Sequence, residues 1–148
     1  MRVAVSTNPR RMLLTIVVLA VAGTIVSSIS LYEHYSTDKA SFCDFGQGFN
    51  CDLVNRSIYS EVLGVPVAFI GIVGYVILLA LATLRRSRPE TPLILLIASL
   101  AGLGFALYLT YVERFILTVW CALCLSSLAL IAAIAAVSLL AVSKRKTT

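Results

Sequence analysis

The sequence predicts an all-α membrane protein, a bundle of four transmembrane helices with a long outer loop between the first and second. Three observations carry this expectation. Hydrophobic residues make up 59% of the 148 and charged residues only 13%, with a mean hydropathy of +0.97. A soluble domain is nearer half apolar and a quarter charged. Four apolar runs free of Asp, Glu, Lys and Arg each approach the roughly 20 residues that cross a bilayer core. Basic residues flank those runs instead of lining one face, which excludes a nucleic-acid-binding surface despite a net charge of +5. A chain of this length is one domain, 1–148.

The helices are expected at about 12–31, 65–84, 93–112 and 120–142. The first run is longer than the about 7–15 apolar residues of a signal peptide. It is therefore read as retained, although Ala20-Val21-Ala22 resembles a weak cleavage site. Pro66 opens the second run, where its missing N–H costs nothing, and Arg85-Arg86-Ser87-Arg88-Pro89 closes it. Thr91-Pro92 offers a cap and a proline to the third. Small residues punctuate the spans: Gly71, Gly74, Gly102, Gly104 and the alanines at 129, 132, 133 and 136. They predict close helix packing, because packing replaces the hydrophobic effect inside lipid.

Nine of the twelve basic residues fall on one side: Arg2, Arg10 and Arg11, then Arg85, Arg86 and Arg88, then Lys144, Arg145 and Lys146. Lys39, Arg56 and Arg114 fall on the other. The charge bias places both termini in the cytoplasm and the first and third connections outside. The first connection, residues 32–64, is too apolar for a free linker, with Phe42, Phe45, Phe49, Leu53, Ile58, Tyr59, Val62 and Leu63. It is expected to fold back as a lid, with a short helix, over the bundle mouth. Asp38, Asp44, Asp52 and Glu61 keep its outer surface wet. The third connection reads as a tight solvated turn at Glu113-Arg114, and His34 as a solvated loop residue. Tyr108, Tyr111 and Trp120 read as interface anchors.

All four cysteines fall on the outer side. Cys43 and Cys51 lie in the long loop, and Cys121 and Cys124 form Cys-x-x-Cys at the start of the fourth helix. Outside the membrane is where disulfides persist. Residues i and i+3 share a helix face, so Cys121 and Cys124 can close a small ring. The first helical turn also favours thiolate, the attacking form. Three readings stay open on spacing alone: a redox pair, a structural staple as in a non-enzymatic tetraspan protein, or half of a metal site. A staple closing so short a loop stabilises little, and with His34 as the sole histidine a zinc set is incomplete. No metal is expected.

At this point the chain resembles the vitamin K epoxide reductase family. Cys43-Asp44-Phe45-Gly46, followed by Cys51, Val54 and Ser57, is similar to that family's loop. Gly64-Val65-Pro66, Gly71 and Tyr75 resemble the start of its second helix in the prokaryotic style, and Cys121-Ala122-Leu123-Cys124 matches its active-site pair. The resemblance spans about residues 12 to 142.

The resemblance implies an electron relay supporting disulfide formation. A separate thioredoxin-fold partner, with no such domain fused to this chain, reduces a Cys43–Cys51 disulfide. Cys51 exchanges with Cys121 through a transient Cys51–Cys121 disulfide. The Cys121–Cys124 pair then reduces a membrane quinone of menaquinone, ubiquinone or vitamin K type, with Cys124 nearest the acceptor. Ser57 carries over as an active-site hydroxyl. Two positions depart from the family: Val67 stands where an asparagine is usual, and Leu128 where animal members carry tyrosine. Both quinone-carbonyl donors are thus missing, which argues against epoxide reduction. The expected quinone wall is Ser57, Val67, Ile70 and Leu128.

Asn55-Arg56-Ser57 is a glycosylation sequon, and the tail from Lys144 to Thr148 resembles an endoplasmic-reticulum retrieval signal. Short motifs of this kind arise by chance, and a basic tail already serves topology. The expected location is a prokaryotic cell membrane. The alternative is the endoplasmic reticulum membrane with luminal cysteines.

Overall fold

A computed structural model describes residues 8–37 and 48–147. Arg2, Asp38, Lys39, Phe42, Cys43, Asp44, Phe45, Gly46 and Thr148 lie outside the described residues. Helix α1 spans Pro9–Tyr35, α2 Cys51–Asn55, α3 Val67–Leu84, α4 Thr91–Val112 and α5 Ala122–Lys146. Between α2 and α3 lie a 3₁₀ turn, Ile58–Ser60, and a two-stranded hairpin of β1, Glu61–Val62, and β2, Val65–Pro66. Four of the helices are long and apolar enough to cross a membrane. The all-α bundle and the short helix in the first connection match the sequence expectation.

The helix ends differ from the apolar runs for local reasons. Helix α1 starts earlier, at Pro9, because the Asn8 side chain accepts the Arg10 N–H at 3.1 Å and proline fills the first turn. Helix α3 starts later, because Val65-Pro66 pairs with Glu61-Val62 across a turn. That turn holds Leu63 (φ 54) and Gly64 (φ 81), the doubly left-handed geometry of a tight hairpin. Helix α5 starts at Ala122, capped by Cys121 itself, and runs on through Lys144, Arg145 and Lys146.

Helix α1 packs on α3 and α5, and α4 packs mainly on α5. The interior holds Ile16, Ala20, Tyr75, Leu78, Leu95 and Ile134 alongside Ser27, Ser99 and Ser138, all buried. The outside is apolar, with Leu14, Val18, Ile97, Leu107 and Leu139 all more than half exposed. Apolar residues facing out and hydroxyls facing in is the distribution expected in lipid. Gly23 sets the closest approach: a Cβ there would meet the Tyr75 ring at 2.3 Å. The Tyr75 hydroxyl then reaches across to donate to the Ser127 carbonyl at 2.9 Å, joining α3 to α5. Gly71 and Gly102 also sit at contacts, against Ser27 and Ile131, whereas Gly74 and Gly104 face open space.

By this up-and-down course the starts of α1 and α4 and the ends of α3 and α5 share one end of the bundle. Arg145 there donates to the Pro89 carbonyl. Cys51, Cys121 and Cys124 lie at the opposite end. The lid is tied to α1: Ser30 Oγ donates to Asn55 Oδ1 at 3.0 Å, His34 Nδ1 donates to the Asn55 carbonyl at 2.5 Å, and Arg56 donates to the Ser36 carbonyl.

Candidate active site

Residues 48–50 run beside Trp120, joined by a parallel bridge between Phe49 and Trp120. Trp120 N–H donates to the Gly48 carbonyl at 2.9 Å, and Asn50 N–H donates to the Trp120 carbonyl at 3.0 Å. One residue beyond each partner the chain turns into a helix headed by a cysteine. Asn50 caps α2 by accepting the Leu53 N–H at 2.9 Å, which fixes Cys51 in the first turn. Cys121 caps α5, its sulfur accepting the Cys124 N–H at 3.3 Å. That sulfur occupies the place where a helix start favours negative charge. Trp120, expected as an interface anchor, is thus part of the joint that aligns the two cysteines.

The consequence is a sulfur–sulfur contact. Cys121 Sγ lies 3.5 Å from Cys51 Sγ, with Cys51 1% and Cys121 0% exposed. Cys51 is disulfide-bonded, whereas Cys121 and Cys124 are free thiols. Cys43 lies outside the described residues. A free thiol in contact with a disulfide sulfur is the starting geometry of exchange.

The third connection is a correction to the solvated turn expected at Glu113-Arg114. Helix α4 runs on into a π-helical turn, Glu113–Leu117, and ends at Thr118 in the left-handed region (φ 56). Arg114 is exposed, but Glu113 is only 1% exposed. Its Oε2 accepts the Cys121 N–H at 3.2 Å, while Oε1 has no hydrogen-bond partner among the described residues. One carboxylate oxygen and the sulfurs of Cys121 and Cys124 all lie within 4.8 Å of one another. A sequence signal did exist, because the apolar stretch continues past Glu113 through Phe115, Ile116 and Leu117.

A cavity of about 430 Å³ opens beside this cluster, bounded by α1, α3, α4 and α5 and roofed by α2. That volume is in the range that holds a small organic ligand. Cys124 lines it and Cys121 does not. The two sulfurs of the pair therefore face different ways, one toward Cys51 and one into the cavity.

Of the four expected wall residues, Ser57, Val67 and Ile70 line the cavity, and Leu128 does not. Helix α5 faces the cavity with Leu123, Cys124, Ser127 and Ile131. Leu128 is one position round the helix from Ser127, outside that face. The Ser57 hydroxyl donates to the Val54 carbonyl at 2.8 Å. His34 is a second correction: it lies in α1, lines the cavity, and its Nε2 faces Glu61 at 3.2 Å. Asn55 also lines the cavity. It is buried, with Oδ1 held by Ser30 and Nδ2 without a hydrogen-bond partner. A buried amide cannot carry a glycan, so the sequon is silent in this fold.

Comparison with known families places these features: the vitamin K epoxide reductase family model matches residues 14–139.

Proposed function

The chain belongs to the vitamin K epoxide reductase family of membrane oxidoreductases, and from that premise we propose that it moves electrons from an outer dithiol partner to a membrane quinone. The observation that carries this reading is the division of labour at the inner pair: Cys121 touches Cys51, and Cys124 lines the cavity.

The relay balances at each step. A partner dithiol of thioredoxin fold reduces Cys43–Cys51 and leaves oxidised. The Cys51 thiolate attacks Cys121 of the inner disulfide, forming Cys51–Cys121 and releasing Cys124 as thiolate. Cys43 then attacks Cys51, which restores Cys43–Cys51 and leaves Cys121 and Cys124 reduced. Cys51 disulfide-bonded with Cys121 and Cys124 free is compatible with this state. The inner pair finally passes two electrons to a quinone and closes its own S–S bond. Attack at each stage needs a thiolate and an accessible sulfur in line.

The cavity supplies the quinone site, with an apolar wall that includes Val67, Ile70 and Ile131. Neither Val67 nor Leu128 can donate to a quinone carbonyl. Asn55 Nδ2 takes that role: it is buried, unpartnered and on the wall. A buried donor left unpaired costs about 1–3 kcal/mol, which a carbonyl oxygen would recover. The acceptor class is a menaquinone, ubiquinone or vitamin K type ring. The clustering of basic residues at the opposite end supports an outer face for the cysteines and a cytoplasmic side for both termini. The favoured location is a prokaryotic cell membrane.

Dithiol-driven quinone reduction by the purified protein in detergent tests this. Turnover by the parent that vanishes in Cys124→Ala is expected. No turnover with any of the three quinone types would sink the proposal and favour structural disulfides.

A further inference from the structure

Glu113 enters none of the steps above. A carboxyl group at the end of a membrane span, buried and held by a backbone N–H, is costly to keep. The bond it makes does not require an acid, since any side-chain carbonyl could accept the Cys121 N–H. Its second oxygen has no hydrogen-bond partner among the described residues, and Glu113, like Cys124, lines the cavity. The inner sulfurs lie within 4.8 Å of one of its carboxylate oxygens.

The chemistry at that point lacks one participant. When the inner dithiol reduces a quinone, two S–H bonds break and one S–S bond forms. Two electrons pass to the ring, and two O–H bonds form in the quinol. Electrons leave through the sulfurs, but the protons need a carrier of their own. The neighbouring walls at Leu117, Leu123 and Ile131 offer none. The other titratable side chains on the cavity are His34, Tyr59 and Tyr75. His34 and Tyr75 are engaged elsewhere, with Asn55 and Ser127.

We propose that Glu113 is the proton-transfer residue of the inner pair, taking the proton of the cavity-facing thiol and delivering it to a quinone oxygen. Delivery regenerates the carboxylate, which carries the second proton in the same way, so Glu113 ends each turnover as it began. Its Oε2 bond to Cys121 N–H holds the carboxyl against the start of α5 while Oε1 stays available. The inference rests on the reading of Cys121 and Cys124 as the quinone-reducing pair.

The test uses the full chain in detergent with a short-chain quinone. Parent, Glu113→Gln and Glu113→Asp are each reduced and then mixed with quinone, and oxidation of the inner pair is followed as a function of pH. Glutamine keeps an oxygen for the Cys121 N–H, so exchange between Cys51 and Cys121 should run at the parent rate. Its oxidation by quinone should fall by about 10²-fold or more, the scale of general acid–base catalysis. The parent pH profile should lose one inflection in Glu113→Gln and keep it in Glu113→Asp at reduced rate. Quinone oxidation of Glu113→Gln at the parent rate, or loss of the inflection in Glu113→Asp, overturns the inference while leaving the relay standing. An inactive parent removes the relay, and the inference with it.

Discussion

Cys51 and Cys121, seventy residues apart in the chain, meet at 3.5 Å between sulfurs, and Trp120 is the reason. The two hydrogen bonds that join it to Gly48 and Asn50 are made by its backbone, and they set the register from which both cysteines enter their helices.

Trp120→Pro removes the N–H that Gly48 accepts, whereas Trp120→Phe keeps it. The proline variant is expected to slow Cys51–Cys121 exchange about tenfold, equivalent to roughly 1.4 kcal/mol. The phenylalanine variant should stay near the parent. Alkylation of free thiols after a reductant pulse, resolved in time, measures both.

Asn55→Asp keeps an oxygen for the Ser30 hydroxyl but removes the Nδ2 donor. We expect the KM for quinone to rise about tenfold or more, because a site built around a hydrogen bond discriminates strongly when it is lost. The KM for the dithiol should not change. Steady-state kinetics with each substrate varied in turn separates the two.

Val67→Phe places a ring in the cavity, and Leu128→Phe does not, because only Val67 is on the wall. Quinone reduction should drop sharply in the first and stay within about twofold of the parent in the second, as expected of a surface change away from the site. Equal loss in both would mean that the ligand lies elsewhere.

Gly23→Ala forces the Tyr75 ring off the face of α1. Overpacking of this kind costs about 1–3 kcal/mol. The melting temperature in detergent should fall accordingly, and Tyr75→Leu in the same chain should recover part of the loss, as contacting residues do in a double-mutant cycle.

The spans were legible because length and the absence of charge are enough to define a membrane helix. The Cys-x-x-Cys pair was legible because its spacing fits one helix face. The meeting of Cys51 and Cys121 was not, since it depends on a backbone bridge between Phe49 and Trp120 that leaves no mark in either local pattern. Glu113 was misread because a charged pair at a helix end is ordinarily solvated. Here a π-helical turn carries the chain on and rolls Glu113 inward while leaving Arg114 outside. His34 was misread for a related reason: α1 runs four residues past its apolar run, which brings that ring under the lid. Gly23 escaped notice because only the Tyr75 ring opposite makes it special. The Leu128 expectation failed by a single helix position.

The most direct test of the account is to catch the electrons as they cross. In Cys124→Ala, Cys121 can attack Cys51 and nothing is left to resolve the product from the inner side. Peptide mapping by mass spectrometry of the oxidised protein, acid-quenched without added reductant, should then find a Cys51–Cys121 disulfide with Cys43 released as thiol, absent from Cys121→Ala. A Cys51 that keeps its original partner throughout, with Cys121 recovered as free thiol, would contradict the relay.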